Sequence, residues 1–346
     1  MANSDVKTQQ GLRPTIAVTM GDPAGIGPEV VLKALAHPEI HRLCRPVVFG
    51  DYEWMRQTAR QLHLPLRLVE ETPGDPSLSD AAVWDGETIP VRQATQADLH
   101  GVTPGKLSAE AGRAAAESVI AAAKAALAGQ VEAIVTAPLN KEAMARGGYP
   151  YPGHTELLAE VTHTDHYGML LISGPLRVIH VSTHVSLREA IERVKTARVL
   201  ECIRLGERAC RDLGLPDPAI AVAGLNPHAG EHGLFGKEDA EEIAPAIAQA
   251  QAEGIHASGP HPPDTVFARA VRGEFDLVVA MYHDQGHIPV KLHGFDTGVN
   301  VTIGLPILRV SVDHGTAFDI AGQGIAREQS MLEALRVAVQ MANAKA

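Results

Sequence analysis

From Phe275 to Ala280 the chain reads Phe-Asp-Leu-Val-Val-Ala, and past Asp276 neither face of that run carries a polar residue. A strand of this kind must be covered on both sides, as in parallel sheets flanked by helices. Similar runs occupy Pro14–Met20, Arg45–Gly50, Val131–Thr136, Val178–Thr183 and Ala219–Gly224, with late strands at Val299–Ile303 and Ile307–Val312. Between them lie helical stretches at Val30–Ala36, Glu53–Gln61, Ser108–Ala128, Lys195–Leu213, Lys237–Glu253 and Arg327–Ala344. Strands alternating with helices specify the α/β class, a largely parallel sheet and right-handed crossovers. Residues 70–101, rich in Pro, Asp, Gly and Thr, read as an irregular excursion. At 346 residues the chain accommodates two domains or one large α/β unit.

Composition excludes several function classes. A formal net charge of −11 argues against nucleic-acid and membrane-surface binding, although a pocket can be locally basic. There is no run of 18 apolar residues, so no membrane span is expected. Residues 1–13 are polar and read as a disordered tail, not a signal peptide. Cys44, Cys202 and Cys210 form no CxxC pair, which fits a reducing compartment. A cytoplasmic protein is expected.

The chemistry-bearing residues gather at strand exits. The strand ending at Ala280 runs into a stretch, read as a loop, that delivers His283, Asp284, His287 and Lys291 within nine residues. The runs from Val178 and Ala219 lead likewise to His184 and His228. Three histidines after buried strands read as one divalent-metal site or as three separate structural residues, and the spacing does not choose between them. Lys141, Lys291, Asn300 and Arg309 lie near buried strands, where a cation needs an anionic ligand or an internal partner such as Asp296 or Asp313. Asp264 is a helix cap or a site carboxylate, and Thr155 a candidate N-cap. The glycines at 21, 25 and 27 fit either an anion site at a helix start or a tight strand-to-helix turn.

Six motifs carry a resemblance. Met20–Glu29 (MGDPAGIGPE), Thr136–Lys141 (TAPLNK), Gly153–Glu156 (GHTE), Asn226–Glu231 (NPHAGE), Met281–Gly286 (MYHDQG) and Val312–Ala317 (VDHGTA) together resemble the 4-hydroxythreonine-4-phosphate dehydrogenase family over residues 14 to about 345. The resemblance implies an isocitrate/isopropylmalate dehydrogenase-like fold with two α/β/α domains flanking an active-site cleft, residues 14–139 plus 286–346 forming one and 140–285 the other. It implies His184, His228 and His283 as ligands of a divalent cation (Zn, Co, Mg or Mn). It further implies His154, Thr155, Lys291, Asn300 and Arg309 as substrate contacts, and a homodimer with the active site at the subunit interface.

The wider dehydrogenase group adds cofactor expectations. Gly21, Asp22, Gly25 and Gly27 are similar to its first glycine-rich loop, and His314, Gly315, Thr316, Ala317 and Asp319 to the loop holding the adenosine end of the cofactor. Phe318 departs from the proline of that loop. A carboxylate at Asp319 accepts from a ribose 2′-OH and repels a 2′-phosphate, so NAD is expected over NADP. The segments around Tyr151–Leu158, Gly233–Gly236 and Gln285–Pro289 look closer to the branch acting on 4-phospho-D-threonate or 4-phospho-D-erythronate than to the pyridoxal phosphate branch. The implied reaction is oxidation at C3 followed by decarboxylation to dihydroxyacetone phosphate and CO2. Lys291, Asp264 and Lys141 are the candidate proton acceptors. A reading of another class, a histidine–metal hydrolase, would leave the loops at 21–27 and 314–322 without a purpose.

Overall fold

The protein, as a computed structural model, is described over residues 13–72, 86–294 and 296–345. The tail expected over residues 1–13 therefore lies outside the described residues except for Arg13, which donates to the His41 carbonyl. Twelve described strands form one sheet: β1 (Thr15–Thr19), β2 (Arg45–Gly50), β3 (Arg67–Glu71), β4 (Thr88–Gln93), β5 (Ala133–Thr136), β6 (Gly168–Ser173), β7 (Leu176–His180), β8 (Ile220–Ala223), β9 (Ala257–His261), β10 (Leu277–Ala280), β11 (Val299–Ile303) and β12 (Arg309–Val312). Their order is β3-β4-β2-β1-β5-β12-β11-β6-β7-β10-β8-β9. The parallel character expected from sequence holds within two blocks, β3 to β12 and β7 to β9. Antiparallel β11 and β6 join them.

Among the described residues twelve α-helices accompany the strands. They are α1 (Gly27–Leu35), α2 (Pro38–Leu43), α3 (Tyr52–Gln61), α4 (Ala109–Leu127), α5 (Lys141–Arg146), α6 (His154–Thr162), α7 (Leu187–Arg193), α8 (Thr196–Asp212), α9 (Ala244–Ala252), α10 (Val266–Val271), α11 (His283–His293) and α12 (Gln329–Lys345). Several starts follow from local chemistry. Pro28 occupies the first turn of α1, where its missing N–H costs nothing. Asp51, Ser108 and Asn140 cap α3, α4 and α5 by accepting from the backbone N–H three residues on.

The side-chain alternation of the strands explains where the site lies. Ile16, Val18, Val135, Val301, Val310, Ile179, Val222 and Val279 share one continuous apolar cluster along one face. On the other face the apolar cover is split. Ala17, Phe49 and Ile134 belong to a cluster with α4 and α6, whereas Val178, Ala221 and Val278 belong to one with α10. Successive residues of a strand point to opposite faces. Thr136, Arg309, Ser311, Asn300 and Thr302 therefore lie on this second face, on the strands between its two clusters.

Four expectations are corrected. Residues 70–101 are not wholly irregular, because β4 falls inside them and pairs with β2 and β3. The stretch after Ala280 is not a loop but α11, entered directly from Tyr282, so His283, His287 and Lys291 recur at helical spacing. Thr155 does not cap α6; Gly153 stands at that position. The helix expected from Lys237 opens instead as a wide π-turn over Asp239–Ile243. Pro245 has no N–H to give the Glu241 carbonyl, and the regular ladder starts only at Ala244. The hairpin of β6 and β7 was legible but unread. Gly174, at φ +55, with Pro175 makes the two-residue connection. The boundary expected at 285/286 cuts through α11, whose contacts run to β6 and β7.

Gly112 tests the packing of α4 on α5. A Cβ there would fall within the Ala143 carbonyl group of α5. Gly112→Ala should destabilise the fold by roughly 1–3 kcal/mol in thermal or urea unfolding, although alanine is the better helix former.

Candidate active site

Arg309 is the centre of the polar strip. It is 2% exposed, and β12 places it opposite Thr302 of β11, while the next residue but one, Ser311, pairs with Thr136 of β5. Its Nε and Nη2 donate to Thr136 Oγ1 at 3.1 and 2.7 Å, and Nη1 donates to Thr302 Oγ1 at 2.7 Å. A guanidinium has five N–H groups, so one on each terminal nitrogen is left over. Among the described residues no carboxylate forms an ion pair with it; Glu156 acts only at longer range. Burial pushes Arg309 down to about 9. A buried cation held by hydroxyls alone has the chemistry to take an anion.

The neighbouring groups share this incompleteness. Thr155 Oγ1 lies 3.4 Å from Thr302 Oγ1. His154 has a buried Nε2 without a partner, and so has Asn300 at Oδ1. Burial, and then the Arg309 charge, hold His154 well below the ordinary histidine range, so the ring is neutral. Lys141, first residue of α5, adds to that depression and also to the lowering of His184, where burial is the larger cause. Lys141 thus links the strip to the histidines.

The turn from β10 into α11 is locked by Gln285, whose Oε1 accepts from Met281 N at 2.7 Å and whose Nε2 donates to the Gly224 carbonyl at 2.8 Å. This clamp ties the start of α11 to the end of β8. His283 donates from Nδ1 to Asp284 Oδ1 at 2.7 Å, leaving Nε2 as its free donor atom. Its ring stacks on His287 at 3.6 Å between centroids and faces His184 at 5.9 Å. Two imidazoles at this separation suit one divalent cation. The third candidate, His228, does not join them, and no group of three or more His, Cys, Asp or Glu among the described residues is placed to hold an ion. His228 begins a run in which His228, Ala229, Glu231 and His232 all have positive φ. Left-handed backbone costs about 1–2 kcal/mol per such residue. The buried Asp239 carboxylate, accepting from Leu225 N, Asn226 N and Asn226 Nδ2, anchors the entry to this turn.

The expected proton acceptors part company. Lys291 pairs with Asp313 at 3.4 Å, and Asp264 is exposed beside Tyr282, Asp284 and Ile288. The glycine-rich loops pack on one another. A Cβ at Gly21 would come within 2.7 Å of the Pro138 oxygen, and one at Gly25 within 2.8 Å of Thr316. Gly27 would meet the Met20 oxygen at 2.6 Å, and Ile26 N donates to the Thr316 carbonyl at 3.0 Å. The close approach these glycines permit is to the chain itself. Beyond Thr316, His314 turns Nδ1 to the Gly315 carbonyl at 3.1 Å and keeps a buried, unpartnered Nε2. Ala317 has φ +42, and Asp319 is exposed.

Residues 42–338 match the family model described as pyridoxal phosphate biosynthetic protein PdxA. The chain belongs to the PdxA family. A D-threonate 4-phosphate dehydrogenase from Cupriavidus necator is 47% identical over 337 residues, covering 96% of this chain and 98% of the relative. One from Salmonella typhimurium is 47% identical over 330 residues, covering 95% and 99%. The crystal structure of a 4-hydroxythreonine-4-phosphate dehydrogenase from Klebsiella pneumoniae has a TM-score of 0.86 at 46% identity, covering 95% of this chain and 99% of that one. Within this PdxA-family chain, Thr136 and Thr302 are the site residues that sequence reading missed. Their signal is strand register, which a lone threonine in an apolar run does not display.

Asp22, in the first loop, is fully buried, and burial pushes it up to about 6 from 3.8 against the Ala24 and Asn140 backbone N–H groups. The folded state therefore holds this proton more tightly than the unfolded chain, and stability falls as pH rises from about 4 to about 6. Asp22→Asn, which mimics the protonated acid, should gain on the wild type across that window and level off above it, with a ceiling of about 3 kcal/mol. Thermal unfolding at pH 4.5, 6 and 8 reads the difference.

Proposed function

We propose that this chain is an NAD-dependent D-threonate 4-phosphate dehydrogenase that oxidises the C3 hydroxyl and releases CO2, with D-erythronate 4-phosphate as the related substrate differing at C2. The observation that carries the reading is Arg309, a buried guanidinium held only by hydroxyls and surrounded by unpartnered polar atoms. A doubly anionic phosphate or a carboxylate supplies what the strip lacks. The names of the relatives supply the substrate class.

In this reading Arg309, His154 and Thr155 grip one anionic end of the substrate, with Asn300 and Lys291 on the other, and their binding energy fixes C3 for hydride transfer. His184 and His283, with His228 from a second copy, would hold a divalent cation, which would supply stabilisation of negative charge on the reacting oxygen. In its neutral amine form Lys141, close to both His154 and His184, would take the hydroxyl proton, ahead of Lys291 and Asp264. NAD, when bound, would supply the hydride acceptor, and the 3-keto acid so formed would have its ketone β to the carboxylate. Loss of CO2, followed by protonation of C2, would then give dihydroxyacetone phosphate. A homodimer accounts for the exposed apolar side chains of α11 and its neighbours, Ile288 at 56% and Leu292 at 82% exposure, with Val271 on α10. Three buried free thiols suit a cytoplasmic setting. No described helix is long and apolar enough to cross a membrane.

The second reading, oxidation of 4-phosphohydroxy-L-threonine, is favoured by the name of the Klebsiella pneumoniae structure. The two substrates differ at C2, hydroxyl against amine. NADH formation from both, with Mg, Mn, Co or Zn, decides between them. Turnover of the hydroxy acids with little on the amino acid is expected, lost on chelation and restored by metal; the reverse preference would replace the reading. Arg309→Met should lower kcat/KM for the phosphorylated acid by about 100-fold or more, since an ionic hydrogen-bonded contact is removed. A wild-type kcat/KM in that variant would show that the anion binds elsewhere.

A further inference from the structure

Four imidazoles touch in succession, and only His184 and His283 among them are candidate ligands. His184 and His283 are 5.9 Å apart between ring centroids, His283 and His287 3.6 Å, and His287 and His180 4.7 Å. Both ends of the succession come from one stretch of chain. His180 is the last residue of β7 and His184 lies four residues further on, while His283 and His287 stand one turn apart on α11. His180 is 2% exposed and His287 7%, so the inner half of the row is sealed from water.

His283 is held weakly from its own side. Its side chain is 38% exposed, and Asp284, the partner of its Nδ1, is 71% exposed. A bond to a neighbour so open to water restrains a ring little. The firm contact is with His287. Residues four apart on a helix lie side by side, and these two rings are within 13° of parallel. His287 Nδ1 donates to the His283 carbonyl at 3.0 Å, which ties the second ring to the helix. His180 packs against it and fills the space that Gly286 leaves, since a Cβ there would come within 2.3 Å of His180 Nε2.

An imidazole ligates a cation through a lone pair lying in the plane of its ring, so ring orientation decides where the cation can sit. A flat group stacked on the ring face fixes that plane without covering the lone pair. We propose that His287 is a positioning residue: its buried ring, backed by His180, sets the plane of the His283 imidazole beside His184 and so preforms the two-histidine part of the cation site. The proposal rests on the dehydrogenase reading above, in which those two residues would hold the cation. An aliphatic side chain at 287 could fill the volume, but it has no plane to impose on its neighbour. The anchor and the facing ligand share the end of β7, so the stack and the chain from His180 to His184 fix the same separation by two routes.

The test titrates Co(II) into the metal-free, full-length protein, reading affinity by calorimetry and ligand geometry by visible absorption. His287→Ala should bind Co(II) about tenfold or more weakly and with an altered spectrum, as expected when the support of a ligating histidine is removed. His287→Phe returns a flat wall without a nitrogen and should recover the wild-type spectrum and most of the affinity. Thermal unfolding confirms that each variant is folded. A folded His287→Ala with wild-type Co(II) affinity and spectrum would make His287 a packing residue only and overturn the proposal. So would a folded His287→Phe that binds about tenfold more weakly than wild type, because the nitrogen and not the wall would then matter. That second comparison decides the matter even where His287→Ala does not fold. A wild type that takes up no Co(II) would sink the cation site of the dehydrogenase reading and this proposal with it, whereas tight wild-type binding left untouched in His287→Ala sinks this proposal alone.

Discussion

The register of three strands governs the chemistry of this molecule. Parallel β5 and β12 and antiparallel β11 bring Thr136, Arg309 and Thr302 together on one face. There the guanidinium is desolvated and its direction is set by two hydroxyl oxygens. A one-residue slip would turn Arg309 into the apolar cluster shared by Val310 and Val312 on the opposite face. The cost of that error is what makes the register secure. Two separate apolar clusters on the outer face, under α4 and α6 and under α10, leave the central strands free of apolar cover on that side.

The histidines depend on a second constraint, the fixed start of α11. Gln285 bonds both to its own turn and to the end of β8, so His283 sits at a helix start whose position is tied to two strands. Gly286 gives His180 its place, because a Cβ there would occupy the same space as the buried imidazole. The adjacent turn carrying His228 is strained in a way a folding argument alone does not require. Such strain, held by a buried aspartate, is a mark of functional turns.

The glycines of the first loop perform a service different from the expected one. Gly21, Gly25 and Gly27 let three stretches of chain meet with no side chain between them. The loop is thereby pinned to Pro138 and Thr316, on segments that flank the polar strip.

Much of this was legible in the order of residues alone. Doubly buried strands announce themselves as apolar runs, because covering both faces leaves no position for a polar side chain. The helix expected over Ser108–Ala128 matches α4 to within a residue at each end, because Ser108 accepts from Ala111 N and so fixes its start. Arg309, His154, His184 and His283 also stood out in the sequence, at strand exits and in motifs. What tertiary structure alone decided is partnership. It joined Arg309 to Thr136 and Thr302, Lys291 to Asp313, and His283 to His287 and His184, while setting His228 apart. It also turned the supposed loop after Ala280 into a helix, because the clamp on its first turn comes from Gly224, about sixty residues away in the chain. A sequence records which groups a chain owns; strand register and the closure of distant segments determine which of them meet.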